Sequence, residues 1–111
     1  MMSKSARASA AAFALASSCI WAAAFEWVNG TVTSIAAQLG NYTVATVNGR
    51  GVRFCDPETG SDYPVNADNV HFDMLRTALM HNKSVQVGVQ NFGKDSSGSE
   101  KLCIDRVILT N

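Results

Sequence analysis

The chain has 111 residues, of which 47% are apolar and 16% charged, with nine basic and nine acidic side chains. That length fits one small domain, and that composition excludes a disordered chain, which needs low hydrophobicity and high charge. A formal net charge of zero argues against a nucleic-acid partner, whose usual footprint is a basic excess.

The first 24 residues read as an export leader. Lys4 and Arg7 make a positive start with no acid beside them. Ala8 to Ala16 is a short run of small and apolar residues, well below the roughly 20 needed to span a bilayer. Ala22-Ala23-Ala24 then supplies a small-residue exit. Together these predict a secretory signal peptide over 1–24, cut after Ala24, and a single mature domain over 25–111. The alternative is a lipid anchor on Cys19, because Leu15-Ala16-Ser17-Ser18-Cys19 resembles a bacterial lipobox. Its large apolar residue stands one place too far back, and Ile20 and Trp21 follow where a polar tether is usual. Loss of Lys4 and Arg7 leaves seven basic against nine acidic residues in the mature chain. The expected product is exported, periplasmic or secreted, with no membrane span.

Cys55 and Cys103 remain after cleavage. An even pair in an oxidising compartment predicts a disulfide. It would close a loop of about 48 residues, worth roughly 4 kcal/mol in the chain-entropy account.

The mature chain opens on Phe25–Ala36, rich in β-branched and aromatic residues and therefore a strand. Gly30 inside it predicts a bulge or sharp bend. After a turn at Gln38-Leu39-Gly40-Asn41, Tyr42–Val47 is a second strand by the same residue logic. Asn48-Gly49-Arg50-Gly51 is a hairpin signal, since Asn and Gly accept positive φ, and Val52–Cys55 returns as the third strand. Asp56–Asp62 is a polar loop punctuated by Pro57 and Gly60, and Tyr63–Asn66 is a short extended piece. A helix follows over about Asp68–Asn82, capped by Asp68 or Asn69. Its stripe of His71, Met74, Leu75, Ala78, Leu79 and Asn82, flanked by Phe72, has helical spacing and faces a core. Ser84–Gln90 alternates cleanly, with three valines inward and Gln86, Gly88 and Gln90 outward. Asn91–Lys101 reads as an exposed, mobile loop, and Leu102–Leu109 is the last strand.

The order β-β-β-α-β-β is mainly β with one helix, the plan of an OB-fold five-stranded barrel. An open α+β sandwich of the same elements is the alternative. Binding residues are expected on the loops and the intervening face, because OB-folds bind there. Phe92 and Lys94 are expected in the loop between strands four and five, where an aromatic beside a cation suits sugar stacking or a partner contact. Tyr42 and Arg53 are candidates for the intervening face. No G-x-S-x-G, H-E-x-x-H or phosphate loop occurs, so no catalytic residue, cofactor or metal is assigned and the protein is read as a non-enzyme. His71 and His81 do not share a helix face, and Asp56, Glu58 and Asp62 match no defined calcium loop.

The stretch Phe72-x-x-Leu75-x-x-Ala78-Leu79-x-x-Asn82-Lys83-x-Val85-x-Val87, with Cys103-Ile104-x-x-Val107 after a polar loop, resembles a pattern of small exported bacterial proteins. The layout from Trp27 to Leu109 is similar to the B subunits of AB5-type toxins, especially the pertussis-like and subtilase-cytotoxin-like branches. The resemblance implies an exported OB-fold that assembles into a ring pentamer and binds cell-surface glycans. The matched residues are core-packing positions, so no sugar-contacting residue is carried over. The alternative function is a monomeric periplasmic structural or protein-interaction domain.

Overall fold

The computed structural model describes residues 23–38 and 42–110. The expected leader up to position 22, with Cys19, and the Leu39-Gly40-Asn41 turn therefore lie outside the described residues. Five strands and one helix follow one another: β1 Ala24–Gln38, β2 Tyr42–Val47, β3 Arg50–Arg53, α1 Val70–His81, β4 Ser84–Lys94 and β5 Glu100–Thr110. The molecule is mainly β, and its sheet closes on itself in the ring order β1-β2-β3-β5-β4. The open sandwich is thereby set aside.

Closure depends on the bend in β1. Its first half pairs with β4 from Ala24 to Thr31, and its second half pairs with β2 from Val32 onward. Gly30 sits at the changeover with φ 146, and a Cβ there would lie 2.8 Å from the Cβ of Asn48. Only a residue without a side chain can take that dihedral and accept the hairpin so closely. The hairpin itself turns at Asn48 and Gly49, both at positive φ (51 and 78), which is the type I′ geometry that matches strand twist. β3 begins two residues earlier than its residues alone imply and ends at Arg53, while Cys55 makes a single bridge with Asp62.

Inward rows of every strand build the core. Val28, Val32, Ala45, Val47, Val52, Phe54, Val85, Val87, Val89, Leu102 and Ile104 pack together with Leu75 and Ala78 of α1. The helix starts at Asn69, whose Oδ1 accepts from Phe72 N–H at 2.9 Å, and stops at Asn82 in the left-handed region. It follows β3 and precedes β4, and its Phe72 ring meets Phe54 edge-on at 5.9 Å.

The outward face of β4 departs from expectation at Gly88, which is buried. A Cβ there would stand 2.8 Å from both Phe25 Cζ and Arg106 Cγ. Phe25 also meets Trp27 edge-on at 5.2 Å, and Arg106 lies 5.6 Å over the Phe25 ring. The missing side chain of Gly88 is filled by its neighbours, so an outward position need not be an exposed one.

Seams of the ring differ in strength. β4 and β5 are registered from Ser84↔Thr110 to Lys94↔Glu100, whereas β3 and β5 share a single registered pair, Arg53↔Cys103, in parallel. At that seam the Cys55–Cys103 disulfide forms, with Cα atoms 4.9 Å apart. The covalent link fastens the joint with the fewest registered pairs.

Candidate functional site

A cleft of about 320 Å³ opens beside this seam, lined by Val44 of β2, Gly49, Arg50, Gly51 and Arg53 of the hairpin and β3, and Ser99 and Glu100 at the start of β5. Strand alternation explains the lining. Ala45, Val47, Val52 and Phe54 point into the core, so Val44, Gly51 and Arg53 belong to the outward rows. The β4–β5 loop, residues 95–99, borders that outer face.

One carboxylate shapes the loop. Asp95 Oδ1 accepts from Ser97 N at 2.9 Å, Ser97 Oγ at 2.6 Å and Ser99 N at 3.0 Å. The main chain closes the turn through Asp95 N to Ser99 O and Gly98 N to Asp95 O. Oδ2 of the same residue pairs with the Arg53 guanidinium. The Ser97 hydroxyl and then Arg53 hold this carboxyl far below the usual carboxylate range.

A polar row closes the neighbouring mouth of the ring. Arg50 donates to Glu26 at 2.9 Å and reaches Glu100 with two nitrogens at 3.0 and 3.3 Å. Asn91 donates to the same Glu26 oxygen at 3.0 Å. These four residues stand on β1, β3, β4 and β5 and continue the inward rows beyond the apolar core. Glu100 is held below its usual pKa by Arg50, and Arg50 is raised by Glu100 first and Glu26 second.

The sequence candidates fall in different places. Arg53, a candidate for the intervening face, stands on the outward row and lines the cleft; it is buried, 5% exposed, and tied to Asp95, so it also supports the loop. Phe92 belongs to β4 and not to the loop. It is half-buried, with its ring edge 3.4 Å from where a Gly60 Cβ would be, so it packs the 56–62 segment. Lys94 is the exposed last residue of β4, opposite Glu100 in register. Tyr42 opens β2 opposite Gln38, and its side chain lies outside the described residues. The expected long mobile loop over 91–101 is mostly strand, because β4 runs to Lys94 and β5 starts at Glu100. Only 95–99 turns, and hydrogen bonds among Asp95, Ser97, Gly98 and Ser99 hold it.

Sequence reasoning missed Asp95, Glu26, Glu100 and the role of Arg50. Asp followed by Ser-Ser-Gly-Ser is a legible Asx-turn signal. The Glu26–Arg50–Glu100 convergence has no local signal, since register alone joins it.

Among the described residues, no group of three or more His, Cys, Asp or Glu is placed to hold a metal ion. His71 is half-buried, and burial lowers its pKa against an opposing pull from Asp105. Among the described residues no helix is long and apolar enough to cross a membrane. No protein-family model, curated protein or solved structure matches this chain.

Proposed function

We propose that this protein is an exported, non-enzymatic binding module of OB type that seats a glycan in the cleft over β2 and β3 and assembles as a ring. The observation that carries this reading is the position of the cleft. The ring order β1-β2-β3-β5-β4 with α1 between β3 and β4 supports an OB reading, and OB barrels bind their ligands on the strand 2–3 face beside the β4–β5 loop. The cleft occupies that face, and loop residue Ser99 lines it. Its lining is mostly polar, as recognition of hydroxyl-rich ligands requires. The Cys55–Cys103 bridge agrees with export to an oxidising compartment.

Light scattering of the oxidised protein, together with a glycan array, tests both halves. A ring-sized particle with glycan signal is expected. A monomer silent on every glycan sinks the reading. A monomeric protein-interaction domain is the second reading, favoured by Phe25 and Trp27, each 42% exposed on the outer face of β1. A pull-down that returns one specific envelope protein would support it.

A further inference from the structure

We infer that the cleft takes a neutral polyol, a sugar ring without carboxylate, sulfate or phosphate, and that Gly51 is the residue that makes room for it. This inference rests on the cleft being the binding site proposed above.

Gly51 is not among the glycines with positive φ, which are Gly30, Gly49, Gly60, Gly93 and Gly98. Its backbone therefore does not require glycine. What an added Cβ would meet is Val44 Cγ2, at 3.1 Å, within the lining of the cleft. Glycine here answers to space: a side chain would press on Val44, and without one the lining between Val44 and Arg53 stays low. The Val44 side chain beside it offers an apolar surface for the C–H face of a sugar ring.

The charge pattern selects against anions. Both cations of the cleft already carry carboxylates, Arg50 with Glu26 and Glu100, and Arg53 with Asp95. With Lys94, opposite Glu100 in register, three positive charges stand against three negative ones, so the exclusion of anions rests on both lining arginines already being paired. An anionic ligand would have to displace a carboxylate from a guanidinium or sit beside it, and like charges in close contact are strongly disfavoured. A hydroxyl both donates and accepts, so vicinal hydroxyls can bridge the edge of the Arg50–Glu100 pair without breaking it. A volume of about 320 Å³ lies at the small end of ligand sites, roughly 300–1,000 Å³, which suits the terminal residues of a glycan.

The test is an array bearing neutral, sialylated and sulfated glycans, probed with the oxidised wild-type protein, Gly51→Leu, Gly51→Ala and Glu100→Gln. Melting curves and thiol titration establish that each variant is folded and bridged. Neutral glycans should give the signal. Gly51→Leu should weaken it by at least about tenfold, the effect of filling a fitted pocket, with Gly51→Ala intermediate. Glu100→Gln should weaken it too and admit acidic glycans, and it stands in should Gly51→Leu not fold. Signal confined to acidic glycans overturns this inference and leaves the binding cleft standing. Neutral signal untouched by the Gly51 and Glu100 variants places the site elsewhere and overturns it as well. Silence on all glycans removes the parent reading itself.

Discussion

Asp95 holds the β4–β5 turn from within and ties it to β3 from without, through Ser97, Ser99 and Arg53. Its carboxyl is depressed, first by the Ser97 hydroxyl and then by Arg53. For a depressed acid the unfolded chain binds protons first as pH falls, so its stabilising contribution is complete above the unfolded value near 4 and is lost only as pH drops through the lower folded value. Amide-exchange protection of Ser97 and Ser99 should therefore stay level from neutral pH to about pH 4 and fall in stronger acid. A loss that begins near pH 6 would show that another group governs the loop. Arg53 carries a related lesson. It stands on an outward row, yet the loop covers it, so its alternation was readable and its burial was not.

At the level of elements, the parts that repeat with a period announced themselves. The valines of β4 alternate, α1 carries its apolar stripe at helical spacing, and Asn48-Gly49 marks the hairpin. The ends of β4 and β5 did not. Asn91–Lys101 is polar and Gly/Ser-rich, and its strand character comes from pairing across the hairpin, for example Lys94 with Glu100, which is a tertiary fact. The mouth of the ring was illegible for the same reason. Glu26, Arg50, Asn91 and Glu100 lie far apart in the chain, and only strand register makes them neighbours. The helix start was narrowed to two residues, and the Asn69 side chain makes the bond to Phe72 N–H. Asn69→Ala should destabilise the fold by about 1 kcal/mol in urea titration, and Asp68→Ala by much less, because no side-chain cap is assigned to Asp68 among the described contacts. Equal effects would contradict the assignment.

At the level of the whole molecule, the ring is unevenly joined. The β3–β5 seam has one registered pair and is supplemented by the disulfide and by ion pairs from Arg50 and Arg53. Replacing Cys55 and Cys103 together by Ala should lower stability by roughly 2–5 kcal/mol. The loss should be uneven: hydrogen exchange should quicken first at β3 and the beginning of β5, before the β4–β5 ladder. Uniform acceleration would mean that the seam is no weaker than the rest.

Cleft and seam are the same neighbourhood, since Arg50 and Arg53 on one bank and Ser99 and Glu100 on the other form both. The sulfur bridge is thus more than a brace. Without the bridge the two banks are joined by the Arg53↔Cys103 pairing, by the shared core and by ion pairs, of which salt loosens the last; the disulfide adds a covalent tie that salt does not touch. On the binding reading proposed above, ligand capture should therefore be tighter in the oxidised than in the reduced protein, and the difference should grow with salt.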